Sequence, residues 1–201
     1  MKNKKFRTVR PWMESRFGDS RSQAALEAGS RRFMTLCQEN AGDPRPVKNQ
    51  TEKNLFPCLA LYEGMQTAGI SKEEALAFLD ESWSRMARPK ARSMQIMAKL
   101  PWICSAMPGI YQKVTLGQFG EAAGFQAVFY DLGKKRCKFD MTRCLYCDVC
   151  RKYGCPELVP CFCHTDDVTS CNIHRRLKWN RTKTMGEGGD VCDFDLILLD
   201  K

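Results

Sequence analysis

From about position 21 to 118 apolar residues recur at three- and four-residue steps, and after Gly120 they gather into short β-branched and aromatic runs between turn signals. The first pattern predicts helices with one buried face, the second predicts strands. Residues 1–20 carry Lys2, Lys4, Lys5, Arg7 and Arg10 as a dense run with no acid interleaved, and read as a basic tail. From Ser22 to Gln38, Ala24, Ala25, Leu26, Phe33, Leu36 and Cys37 give an incomplete apolar face and predict a helix. Glu39 to Asn54, with Gly42, Pro44 and Pro46, reads as a loop. A second helix is predicted from about Leu55 to Thr67, ending near Gly69.

Ser71-Lys72-Glu73-Glu74 is a capping box, in which hydroxyl and carboxylate each satisfy a backbone donor at a helix start. The helix it opens is expected to reach about Arg88. Leu76, Leu79, Trp83 and Met86, widened by Ala75 and Phe78, make a core-facing stripe. Two further helices are predicted, about Ala91 to Leu100 and Trp102 to Leu116, with Pro101 marking the break.

Past Gly120, Phe125 to Tyr130 and Arg136 to Met141 predict a hairpin about the turn Asp131 to Lys134. Thr142 to His174 holds helical pieces. Leu177 to Thr184 and Val191 to Leu199 then predict a second strand pair, joined through the glycine-rich Gly186 to Asp190. The fold class is therefore α+β: N-terminal helices, then an antiparallel sheet of hairpins with cysteine-rich helices inserted. After the tail, one domain is expected over 21–201, mainly helical over 21–118 and sheet plus cysteine-rich helices over 119–201.

Composition changes the picture in two respects. At 43% hydrophobic and 27% charged residues the chain is ordinary for a soluble globular protein. Its first residues lack the apolar core of a secretory signal, and no stretch nears the roughly 18 apolar residues of a membrane helix. A cytoplasmic protein with no membrane partner is expected. In that reducing setting the twelve cysteines, eight of them between Cys144 and Cys192, point to free thiols, metal ligands or a nucleophile rather than to disulfides. The net charge of +9 could attract an acidic partner. No zinc-finger spacing, RNA-binding aromatic signature or helix-turn-helix accompanies it, so nucleic acid is not the expected partner. Nothing in the pattern sets an oligomeric state.

Two readings of the cysteines compete. Cys144-x-x-Cys147-x-x-Cys150-x-x-x-x-Cys155-Pro156 is one residue longer than the cluster-binding run of bacterial ferredoxins, and thiolates so spaced can wrap zinc or an iron–sulfur cluster. A sensing or electron-transfer role would follow. Against it, a helix through Cys144 to Tyr153 would turn these cysteines progressively around its axis.

The second reading takes the C-terminal third together. Arg143-Cys144-Leu145-Tyr146-Cys147, Gly154-Cys155-Pro156-Glu157-Leu158, Phe162-Cys163-His164-Thr165-Asp166, Arg181-Thr182-Lys183-Thr184-Met185-Gly186 and Gly189-Asp190-Val191-Cys192-Asp193-Phe194 follow one another in this order. In order, spacing and identity this segment resembles the L-2-amino-thiazoline-4-carboxylic acid hydrolase family. Leu61-Tyr62 ahead of Gly69-Ile70-Ser71 fits more loosely, and Cys150, Cys161 and Cys171 depart from the family pattern. The resemblance implies a hydrolase without cofactor, acting on a small carboxylate-bearing cyclic isothiourea. The carbon between ring sulfur, ring nitrogen and exocyclic amine is attacked by a cysteine or by water, and the ring opens to a carbamoyl-cysteine.

Such chemistry needs a nucleophile, a group that keeps the amidine protonated and a cation for the carboxylate. Cys163 is the candidate nucleophile, in a turn expected to precede a helix starting near Asp166, where a helix N-terminus would favour the thiolate. Its alternative is a small core residue. Asp166 would hold the amidine or relay protons, and could equally cap that helix. Arg181 could grip the carboxylate through two parallel hydrogen bonds or be a solvated strand residue. Arg181, Thr182, Cys192 and Asp193 form the expected substrate-binding set. Cys192 and Asp193 should face opposite sides of their strand, Cys192 inward near Arg181 and Asp193 toward a main-chain donor. The general base is His164, Asp166 or a water; His174 is the only other histidine.

Overall fold

The computed structural model describes residues 3–200. They gather into two compact units, divided between Ser82 and Trp83.

The first unit is helical. Helix α1 spans Lys4–Phe17, capped by the Asn3 side chain, which accepts the Lys5 amide at 2.9 Å. The basic run is thus a helix and not a tail. Phe6, Val9, Met13 and Phe17 recur at three- and four-residue steps and are buried, so the cations occupy the remaining faces of a helix whose apolar stripe they disguise. Helix α2 covers Asp19–Glu39. The stretch expected as a loop contains α3, Arg45–Gln50, followed by a π-helical turn at Thr51–Leu55 that leads into α4, Phe56–Thr67. Pro44 and Pro46 mark the start of α3, where proline's missing donor costs nothing, rather than an irregular segment.

Helices α2 and α4 meet at glycines. A Cβ on Gly64 would lie 2.5 Å from the Ala25 carbonyl oxygen and 2.6 Å from the Gly29 amide nitrogen. Rigid backbone cannot yield as a flexible side chain does, so overpacking outweighs the helix propensity that alanine contributes. Gly64→Ala should therefore cost about 2 kcal/mol, whereas Gly109→Ala, which meets open space in a later helix, should gain about 0.5–1 kcal/mol. Urea unfolding midpoints moving in opposite directions are the expected result.

Helix α5, Lys72–Ala98, opens on the predicted capping box: the Glu74 carboxylate accepts the Ser71 amide at 3.2 Å, and the Glu74 amide donates to the Ser71 hydroxyl at 3.2 Å. The helix runs through Pro89, where an interruption was predicted; that position lies on an exposed face of the helix.

The second unit holds the sheet. Helix α6, Pro101–Gln118, precedes β1, Gln126–Asp131, and β2, Arg136–Arg143. Helices α7, Leu145–Lys152, and α8, Pro160–Ser170, are inserted before β3, Leu177–Asn180, and β4, Cys192–Leu198. All pairings are antiparallel, in the order β1-β2-β4-β3. The fold is α+β, as its hydrophobic pattern predicts. Along β4, Cys192, Phe194, Leu196 and Leu198 are buried while the intervening residues are partly exposed. Helix α6 covers the buried face, where Cys104 and Met107 pack with Ile173, Leu177, Leu196 and Leu198. The β2–β4 register pairs Phe139 with Phe194 and Met141 with Cys192. Cys192 therefore enters the sheet where β2 is about to pass into α7. Among the described residues no helix is long and apolar enough to cross a membrane.

Candidate functional site

The connection between β3 and β4 is tied down by Asp193. Its carboxylate accepts the Thr182 amide at 2.9 Å, the Lys183 amide at 2.8 Å and the Thr182 hydroxyl at 2.6 Å. These donors hold the carboxyl below its usual range although partial burial works the other way. Thr182 and Asp193 form a clip on the exposed side of the strand ends, and the clip fixes the backbone from which Arg181 departs.

Arg181 points inward, its side chain only 5% exposed. Nη2 donates to the Cys163 carbonyl at 3.0 Å and to the Asp167 carboxylate. The guanidinium lies 5.7 Å from the centre of the Phe194 ring. Nη1 stands 3.6 Å from Asp166 and has no hydrogen-bond partner. A solvated strand residue is thereby ruled out. Nη2 is committed to these two acceptors, so a two-armed grip on a carboxylate would require it to release them.

Helix α8 supplies the other side. It begins at Pro160, not near Asp166, so Cys163 sits in its first turn and Asp166 in its interior, where it cannot cap. Pro160 at the first helical position was the local signal. Cys163, Asp166 and Asp167 then fall at i, i+3 and i+4 and share one helix face. Asp166 is partly desolvated by its protein neighbours, although 45% of its side chain still reaches solvent. That desolvation pushes its carboxyl up to about 6, against the pull of Arg181. Asp167, which sequence reasoning missed, is the closest acidic partner of Arg181 and also accepts the Trp179 indole N–H at 3.1 Å. Nothing local marks it, since only the placement of β3 beside α8 gives it these donors.

Four thiols surround this point. Burial pushes the Cys163 thiol up to about 12, with Cys192 next among the causes, while the Thr184 hydroxyl works in the other direction. Cys192 accepts the Met185 amide at 3.2 Å and is pushed up to about 11, again by burial first. Gly186 faces Cys163 closely: a Cβ there would lie 3.0 Å from the Cys163 sulfur and 2.8 Å from a Val159 methyl. Cys147 is near enough to feel Cys163 and Cys192, and Cys144 acts on Cys192. Cys163, Cys192, Asp166 and Arg181 are thus brought together, whereas Thr182 and Asp193 are the clip behind them.

The histidines do not join the thiols equally. His164 neighbours Cys163, but its Nε2 faces Glu187 at 3.6 Å, and Glu187 in turn accepts the Thr184 hydroxyl at 2.9 Å. His174 lies elsewhere, with Nδ1 accepting the Arg176 amide at 3.2 Å and 3.3 Å from the Cys104 sulfur, beside a recess of about 640 Å³. A smaller recess of about 380 Å³ is lined by Lys138, Asn180, Asp193 and Asp195 together with Arg181, and no cysteine borders it. Among the described residues, no group of three or more His, Cys, Asp or Glu side chains is placed to hold a metal ion. Of the set Cys144, Cys147, Cys150 and Cys155, Cys147 and Cys150 lie within α7, Cys144 is its N-cap and Cys155 follows the helix.

No curated protein matches the chain. A sequence model of the L-2-amino-thiazoline-4-carboxylic acid hydrolases matches residues 48–196, well over half its length. The chain belongs to the L-2-amino-thiazoline-4-carboxylic acid hydrolase family.

Proposed function

We propose that this protein is a cytoplasmic hydrolase that opens a small carboxylate-bearing cyclic isothiourea such as L-2-amino-thiazoline-4-carboxylate, with no cofactor. Family membership supports the reaction class, and the observation that carries the site assignment is the buried Arg181, whose Nη1 lacks a hydrogen-bond partner and stands 3.6 Å from Asp166. An unsatisfied, desolvated guanidinium nitrogen gains most from an anion brought to it, and the substrate carboxylate is that anion.

With the carboxylate on Nη1, the amidinium of the ring lies toward Asp166, whose ionised form holds it by charge-assisted hydrogen bonds. Cys163 attacks the carbon between sulfur and the two nitrogens. A bond forms from the Cys163 sulfur to that carbon, the ring carbon–sulfur bond breaks, and the ring sulfur leaves as the substrate's own thiol, taking the proton Cys163 gave up. Water then attacks the same carbon and releases carbamoyl-cysteine with Cys163 restored. The cationic amidine offsets the burial that disfavours the Cys163 thiolate in the free protein.

An assay following ring opening by release of the substrate thiol tests this directly; no thiol release at any substrate concentration would end the proposal. Below about pH 6 Asp166 takes up a proton and loses its hold on the amidinium, so kcat/KM should fall on the acid side. In Asp166→Asn that acid limb should disappear along with most of the activity.

A further inference from the structure

The four thiols divide into two kinds. Cys163 and Cys192 are single thiols on α8 and β4, whereas Cys144 and Cys147 belong to one helix start. Cys144 is the N-cap of α7, with extended backbone at φ −121° and ψ 117°, and Cys147 is the third residue of the helix. These are the positions that Ser71 and Glu74 occupy in α5, where hydroxyl and carboxylate meet at 2.9 Å. In α7 the same two positions are held by Cys144 and Cys147, whose thiols interact through a side-chain hydrogen bond. The hydrogen bond with Cys147 and then burial hold the Cys144 thiol above its ordinary range, while the amides of Cys147 and Tyr146 work the other way. Residues three apart are neighbours on one helix face with Cβ atoms about 5–6 Å apart, so a small inward shift of the N-cap brings them to the roughly 3.5–4.5 Å of a disulfide.

Exposure and charge complete the arrangement. Cys144 is partly exposed while Cys147 is 6% exposed, so one sulfur meets solvent and the other waits behind it. The hydrogen bond from Cys144 pulls the Cys147 thiol below its ordinary range, the reverse of what burial does to Cys163 and Cys192. A pair that shares one proton can present a thiolate at either sulfur. Beyond the helix start, the buried Arg181 with its unpartnered Nη1 lies within charge range of Cys163 and Cys192, which Cys147 adjoins.

We propose that Cys144 and Cys147 form a redox-active dithiol that undergoes thiol–disulfide exchange with small disulfides, a modification site separate from the ring-opening chemistry. The proton of the pair moves to Cys147 as Cys144 attacks one sulfur of the small disulfide. That disulfide's S–S bond breaks, its other half leaves as a thiolate, and a mixed disulfide remains on Cys144. Cys147 then passes its proton to the departing thiolate and attacks the Cys144 sulfur, expelling the second half of the reagent. The two protein thiols are oxidised and one small disulfide is reduced to two thiols. Closing the bond also removes a titratable thiol from beside Cys163 and Cys192.

The test uses the whole protein with oxidised glutathione, followed by alkylation of the remaining thiols and peptide mapping, and it does not depend on turnover. The expected first product is a Cys144–Cys147 disulfide, reversed by dithiothreitol, formed at least tenfold faster than any modification at the exposed, solitary Cys171. In Cys147→Ser, whose fold is checked by circular dichroism, the mixed disulfide should persist on Cys144. A first disulfide between Cys163 and Cys192, or glutathione on Cys171 with Cys144 and Cys147 still free in the unsubstituted protein, overturns the proposal.

Discussion

Exchanging Arg181 for methionine is expected to lower kcat/KM for a carboxylate-bearing cyclic isothiourea about a hundredfold, since one or two hydrogen bonds to a charged group are worth about 2–3 kcal/mol in a desolvated site. Nη2 is already spent on Asp167 and the Cys163 carbonyl, so the loss at the ligand is that of Nη1. Stability should suffer less. Asp166 and Asp167 keep 45% and 39% of their side chains in solvent and can recover hydration, which limits the folding cost to about 1 kcal/mol. The discriminating substrate is the same ring without its carboxylate. If Arg181 binds the carboxylate, that analogue is turned over about equally by both proteins; if Arg181 only buttresses α8, both substrates lose activity alike. Lysine at this position restores charge without the planar donor set that reaches Asp167, the Cys163 carbonyl and a ligand together, so R181K should recover only a minor part.

What the sequence revealed and what it hid follow the range of the interactions. Ser71 and Glu74 were legible because a capping box is closed by residues three apart. The sheet was legible because β-branched and aromatic runs alternate with turn residues, and because β4 buries every second side chain. Helix α1 was hidden by its own surface, since Phe6, Val9, Met13 and Phe17 are spaced for burial but separated by cations that resemble a tail. The start of α8 was misplaced although Pro160 marks it, and that displacement turned Asp166 from a partly desolvated carboxylate into a supposed cap. Arg181 and Cys192 could be nominated by residue type. Asp167 could not, because its role rests on β3 running past α8, a relation between residues 14 positions apart that no local pattern carries. The capping-box positions of Cys144 and Cys147 were present in the spacing but were masked by the competing ferredoxin-like reading of the same cysteines.

Cys163→Ala should reduce ring opening by at least about a thousandfold while leaving the fold intact, because a covalent route loses its only bond-forming atom while the core loses one sulfur. The pH profile gives the assignment a second, independent reading. With its thiol pushed up to about 12 in the free protein, only about one Cys163 in 10⁵ is a thiolate at pH 7, a handicap of about 7 kcal/mol unless the ligand relieves it. Attack by Cys163 therefore predicts that kcat/KM keeps rising, up to tenfold per pH unit, well above neutrality. The rise should be weaker in kcat, because the bound amidinium supplies the positive charge that the thiolate lacks in the free protein. Attack by water held near Asp166 predicts something else: a rise through about pH 6 as the carboxyl ionises, then a plateau. It also predicts that Cys163→Ala keeps activity to within about tenfold, since a thiol that takes no part in bond formation is replaced by a methyl group. A plateau together with an active alanine variant would transfer the attacking role from Cys163 to water and leave Asp166 as its base. A continued rise together with an inactive one would place the first covalent bond on the Cys163 sulfur.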